Sequence, residues 1–149
     1  MPETTSGTVG PPMPAPDPLT QFFWDGLAER KLLILRCRDC GHYIHYPRPV
    51  CRFCRSVDLA PAEVSGRATL YSWTTTVQAF HPGFVDKVPY TVAVVELVEQ
   101  ENLRMVTNIV DCDESELRGD MALEVTFREA APGFTLPYFC PAPAMEGSK

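Results

Sequence analysis

The spacing of apolar positions changes along this chain, and each change marks an element. Residues 1–16, MPETTSGTVGPPMPAP, show no period. Their Pro, Gly, Ser and Thr supply too little apolar surface to offset the entropy lost on ordering, which predicts a flexible tail. In DPLTQFFWDGLAER, Leu19, Phe22, Phe23 and Leu27 recur close to one face at helical spacing. Asp17 is a good N-cap and Pro18 fits the first helical position, so a short amphipathic helix is expected from there. Trp24 points off that face, and Gly26 weakens so short a helix by about 1 kcal/mol relative to alanine. Three consecutive aromatics, Phe22, Phe23 and Trp24, need a surface to lie on: their own fold, or a partner or substrate.

The period then shortens. Leu32–Leu35 and Tyr43–Tyr46 are β-prone runs on either side of a cysteine pair. From Glu63 to about Cys140 strands dominate. GRATLYSWTTTVQAF is long and rich in Thr and aromatics, with Gly66 expected at a bulge. VPYTVAVVELV is a second, more buried run, and EQEN turns the chain into LRMVTNIV. DCDESELRGD is expected to form one helical turn with a glycine stop, followed by MALEVTFRE and FTLPYFC. Five strands with short turns favour a small closed sheet of the OB-fold class over a sandwich. The predicted fold is thus mainly β: a short N-terminal helix, a cysteine-bearing ribbon and a five-stranded C-terminal barrel. The expected boundaries are a tail at 1–16, helix and lead-in strand at 17–35, ribbon at 36–60, barrel at 61–140 and a second tail at 141–149.

Chemistry enters with the cysteines. Cys37-x2-Cys40 and Cys51-x2-Cys54 are separated by ten residues. Each such turn aims two thiolates at one point, and two turns supply the four-sulfur tetrahedron that zinc accepts without geometric penalty. Iron in a rubredoxin-like site shares that ligand set. Four thiolates leave no open position for water, so the metal is expected to be structural rather than catalytic. His42 and His45 are nearby but superfluous as ligands. Cys112 and Cys140 sit in no motif and are expected to be ordinary buried residues.

Charge narrows the function. The net charge of -6 and a pI near 5.0 argue against a life on nucleic acid, although Tyr71 and Trp73 could offer bases a stacking platform. The distribution is uneven. Arg36, Arg38, Arg48, Arg52 and Arg55 face only Asp39 across residues 36–55, while nine acids from Glu96 to Glu124 face Arg104 and Arg118. Two readings of the arginines stay open: offsetting the charge of a four-thiolate centre, or binding an anion such as a cofactor phosphate through Arg48, Arg52 and Arg55. No nucleophile elbow, phosphate-binding glycine loop or H-E-x-x-H pair occurs. No apolar run is long enough to span a bilayer, and the N-terminus has no basic start with an apolar stretch, so a cytoplasmic setting is expected. The loop AFHPGFVDKVPY offers Phe80, His81 and Phe84 with little polar cover, and it is expected at a partner or ligand surface.

The order of these segments is familiar. FFWDGL, then LILRCRDCGHYIHYPRPVCRFC, SGRATLYSWTTT, HPGF, VPYTVAVVEL, TNIV and RGDMALEVTF together resemble the zinc-ribbon plus OB-fold family, the domain of unknown function 35, across residues 17–140. One departure is GRA at Gly66–Ala68, where the family has a GRG-type turn. The resemblance implies a helical N-terminal piece, a rubredoxin-like ribbon with zinc on Cys37, Cys40, Cys51 and Cys54, and an OB barrel. It further implies a non-catalytic subunit that accompanies a thiolase-fold enzyme on acyl-CoA thioesters, such as a thiolase or a steroid side-chain aldolase. The alternatives are a subunit that accompanies an acyl-CoA hydratase, a nucleic-acid-binding module, and electron transfer through iron in the ribbon.

Overall fold

A computed structural model describes residues 10–143; the rest of the two predicted tails, 1–9 and 144–149, lies outside the described residues. The elements are helix α1 (Gln21–Ala28) and strands β1 (Leu33–Cys37), β2 (Tyr43–Ile44), β3 (Leu59–Glu63), β4 (Arg67–Thr76), β5 (Tyr90–Leu97), β6 (Arg104–Ile109), β7 (Ala122–Ala131) and β8 (Phe134–Pro141). Single 3-10 turns sit at Pro82–Phe84 and Glu114–Glu116.

The helix begins later than the sequence suggests. Asp17 does cap, but it caps a turn: its carboxylate accepts from the Thr20 N–H at 2.8 Å, and Thr20 precedes the α-helix proper. Leu27 is fully buried, whereas Leu19 is 39% exposed. Gly26 has a packing role that propensity does not show. A side chain there would meet Leu33 at 2.8 Å, so glycine lets the helix close down on β1.

Strands β2-β1-β3 form a small antiparallel sheet, the ribbon. Its third strand, LAPAE, was invisible in the sequence because a proline and two alanines carry no β signal. Strand β1 serves two cores through its alternation. Leu32, just ahead of it, and Ile34 face the barrel cluster, while Leu35 and Cys37 face the ribbon cluster with Ile44 and Cys51.

The five later strands close as predicted, in the order β4-β5-β6-β8-β7, with β7 returning to β4. Closure between β6 and β8 is parallel and rests on one registered pair, Ile109 with Phe139. Leu70, Val95, Leu97, Leu123 and Phe139 fill the interior at 1% exposure or less. Inward positions alternate along β5, where Ala93, Val95 and Leu97 are buried.

Three local expectations need correction. The bulge in β4 lies between Leu70 and Ser72, at Tyr71, and not at Gly66. Gly66 instead takes φ +82 just before the strand, where an added Cβ would meet Val125 at 2.3 Å. The turn in DCDESELRGD is not stopped by Gly119: the left-handed residue is Asp120, at φ 63. Cys112 and Cys140 are half-buried rather than buried. Their thiols are raised by burial first and then by Glu116 and Glu124 respectively, which keeps both poorly nucleophilic.

Candidate metal centre and the surfaces around it

Two turns with the same hydrogen bonding build the centre. In the first, the Cys37 N–H donates to His42 O (2.9 Å) and the Gly41 N–H to Cys37 O (3.0 Å). In the second, the Cys51 N–H donates to Ser56 O and the Arg55 N–H to Cys51 O, both at 2.9 Å. Each turn requires a left-handed residue directly after its second cysteine: Gly41 at φ 80, Arg55 at φ 65. A bond from the Ser56 hydroxyl to the Asp39 carboxylate ties one turn to the other.

The four ligand atoms of Cys37, Cys40, Cys51 and Cys54 lie within 4.8 Å of one another. Sγ atoms of Cys37 and Cys54 are 3.5 Å apart, and those of Cys40 and Cys51 are 3.6 Å apart. Cys37 and Cys51 are buried while Cys40 and Cys54 reach the surface. Backbone amides of Cys40 and Asp39 hold the Cys37 thiol down to about 6 against its burial. At Cys54 the Ser56 amide favours the thiolate, but burial and the three neighbouring thiols outweigh it and push the group up to about 12. Four sulfurs this close cannot all ionise unaided. A dication that prefers four thiolates in a tetrahedron resolves the conflict, so the donor set fits zinc.

Neither histidine joins the four clustered ligand atoms. His42 Nδ1 lies 3.3 Å from Cys40 Sγ, and its ring stacks on Phe53 at 4.0 Å. His45 turns to the barrel side, where burial lowers it to about 4 and its Nε2 is buried without a hydrogen-bond partner.

The arginines have separate fates. The Arg36 Nε donates to Gly41 O at 2.9 Å, and Arg38 pairs with Asp58 at 3.9 Å. Arg48 and Arg52 converge on a cleft of about 140 Å³ between the ribbon and the β5–β6 turn; Arg55 is not among its lining residues. Gln100, a residue with no signal in the sequence, also lines that cleft. Its side chain accepts from the Tyr43 N–H at 2.8 Å and donates to Tyr43 O at 3.1 Å, extending the ribbon's edge onto the barrel.

The predicted aromatic surface divides. Phe22 packs on the ribbon cluster, and Phe23 and Trp24 on the barrel cluster. Phe23 and Trp24 also wall a cavity of about 260 Å³ together with His45, Tyr46, Met105 and Leu136, at the seam where β6 and β8 part. In the loop, Phe80 is 86% exposed. His81 is a capping residue, its Nδ1 accepting from the Gly83 N–H at 2.9 Å. Phe84 folds back to Tyr90, ring centres 5.5 Å apart, and lines a cleft of about 410 Å³ with Pro11 and Met13. Of the supposed stacking platform, Trp73 packs against the barrel core, and Tyr71 is covered by the Arg104 guanidinium at 3.7 Å. Among the described residues no helix is long and apolar enough to cross a membrane.

Two family models match this architecture: the rubredoxin-like zinc ribbon domain of ChsH2 over residues 24–60, and the C-terminal OB-fold domain of ChsH2 over residues 62–128. A solved chain of the "Ltp2-ChsH2(DUF35) aldolase" superposes with a TM-score of 0.79 at 35% identity, covering 87% of this chain and 98% of that one. A DUF35 domain-containing scaffold protein of Methanocaldococcus jannaschii is 31% identical over 107 residues, 70% of this chain and 74% of the relative. A probable enoyl-CoA hydratase alpha subunit of Thermomonospora curvata is 36% identical over 137 residues. The match takes in 92% of this chain, which spans only 42% of that relative's length. A DUF35 protein of Sulfolobus solfataricus, at 15% identity and a TM-score of 0.57, shares the fold. Cys37, Cys40, Cys51 and Cys54 are thus the clustered cysteines of a zinc ribbon domain, placed to hold a metal ion.

Proposed function

The chain belongs to the DUF35 family of zinc-ribbon and OB-fold proteins, and from that premise we propose that it is the non-catalytic scaffold subunit of a thiolase-fold enzyme acting on acyl-CoA thioesters. One observation carries the reading: the likeness to the ChsH2 chain of an aldolase complex extends over 98% of that chain. The site chemistry agrees with it. Four clustered thiols would leave a bound metal no open position for water, and the two remaining thiols are raised rather than activated. Chemistry therefore belongs to the partner, while this subunit supplies a rigid surface. Phe80 in the β4–β5 loop, and the cavity walled by Phe23 and Trp24, are the places where that surface would meet the partner or its acyl substrate. A reducing compartment such as the cytoplasm suits four cysteines held as metal ligands.

Purified alone, the subunit should neither cleave, condense nor hydrate acyl-CoA thioesters. Purified from its native host, it should bring down a thiolase-fold polypeptide, with activity only when both chains are present. Turnover by the isolated chain that one point substitution abolishes would overturn the reading. A second reading, a hydratase scaffold, is favoured by the Thermomonospora curvata relative. Recovery of a hydratase as the bound chain, with hydration of an enoyl thioester, would select it.

A further inference from the structure

We propose that the cleft between the ribbon and the β5–β6 turn is a phosphate-binding site that clamps the two parts of the molecule together. Its walls hold Arg48 and Arg52 from the ribbon and Gln100 and Asn102 from the barrel, and no carboxylate lines it. In a chain of net charge -6 that exclusion is notable. Among the described residues neither arginine is salt-bridged, whereas Arg38, Arg104 and Arg128 all have acidic partners. Arg52 is also held in place, its guanidinium 4.7 Å from the Phe53 ring. The guanidinium presents its donors in one plane, the geometry that phosphate oxygens accept, and the ring contact limits how that plane can turn. Gln100 is fixed by its two hydrogen bonds to the Tyr43 backbone, and Asn102 by φ 66 at the turn. At about 140 Å³ the cleft has room for a phosphate or diphosphate group.

The site stands on this geometry alone. Only its natural occupant, the phosphate end of a nucleotide-bearing thioester, rests on the function proposed above. Calorimetric titration of the zinc-loaded chain with inorganic pyrophosphate, at fixed ionic strength, tests the site. Saturable one-to-one binding is expected, weakened at least tenfold in Arg48→Gln and in Arg52→Gln and less than twofold in Arg38→Gln. Arg52 lies between two ligands, so zinc content is measured in each variant; should Arg52→Gln lose metal, Arg48→Gln and Asn102→Gly decide. Absence of saturable binding, or an equal loss in Arg38→Gln, overturns the site. Adenosine 3′,5′-bisphosphate tests the occupant. Competition with pyrophosphate that fails in the Arg48→Gln variant supports a nucleotide carrier, and binding insensitive to Arg48 overturns that carrier while the pyrophosphate result stands.

Discussion

The ribbon's own core is four buried residues, Leu35, Cys37, Ile44 and Cys51, and two of these are metal ligands. The barrel cluster has fifteen, from Leu27 to Phe139, all apolar. One region is organised around an ion and the other around a closed sheet, yet both use β1, whose two faces supply Ile34 to one and Leu35 to the other. The difference teaches where each region's stability comes from. A ribbon this small cannot offset the entropy of ordering its chain by burial alone, and structural zinc contributes about 10–16 kcal/mol in apparent binding energy. The barrel cluster is apolar throughout and, among the described residues, contains no candidate metal ligand.

The strongest way to break that comparison is Cys40→Ser. Cys40 is exposed, so the change removes a ligand and little packing. Zinc should be lost, and the ribbon's amide signals should collapse, while methyl signals of Leu70 and Val95 stay dispersed. Stoichiometric zinc in that variant, read by elemental analysis, would count decisively against a four-thiolate site. The reciprocal experiment is Phe139→Ala. Phe139 is fully buried, sits at the single parallel pair that closes the barrel, and accepts from the Val110 N–H at 2.9 Å. A cost of about 3–5 kcal/mol is expected in denaturant unfolding, with zinc content unchanged. Loss of zinc together with the barrel would mean that the two regions fold as one unit.

What the sequence disclosed follows the same division. The ligands were legible because metal geometry fixes residue type and spacing, and the five barrel strands because burial on one face imposes a period. The third ribbon strand was not, since Pro61 and its alanine neighbours are held by pairing with β1 rather than by propensity. The helix start was misplaced by three residues because Asp17 caps equally well a turn or a helix. The junction was least visible. Gln100 and Tyr46 each bond backbone in the other region, Tyr46 Oη accepting from the Val106 N–H at 3.2 Å, and such long-range single bonds leave no periodic trace.

That junction supplies a third, intermediate test. His45 lies where the regions meet, and burial lowers its folded-state value to about 4, below the ordinary 6.5. A depressed histidine is neutral in the folded protein and takes up a proton on unfolding. Stability is therefore full above the unfolded value and falls as pH drops from 6.5 toward 4, by about 2 kcal/mol between pH 7 and pH 5. Unfolding free energies at those two values, compared in wild type and His45→Gln, isolate this share from acid loss of zinc. Equal pH slopes in the two proteins would show that His45 is not desolvated.

The smallest expected effect sharpens the comparison within the ribbon. The two metal-binding turns make the same backbone bonds, but the first places Gly41 in the left-handed region and the second places Arg55 there. A side chain in that conformation costs roughly 1–2 kcal/mol. Glycine avoids the cost while giving back about 0.4–1 kcal/mol through a freer unfolded chain. Arg55→Gly should thus strengthen the zinc-bound ribbon by somewhat under 1 kcal/mol, seen as a few-fold tighter zinc affinity against a competing chelator. Arg55→Ala is the control, because it removes the same charge and keeps the strained backbone. If backbone geometry decides, Gly exceeds Ala and equals or exceeds the parent. If the exposed guanidinium matters more, by offsetting the charge on the four thiolates, both variants bind zinc more weakly and by the same factor. The turns would then be alike in their hydrogen bonds and different in their electrostatics.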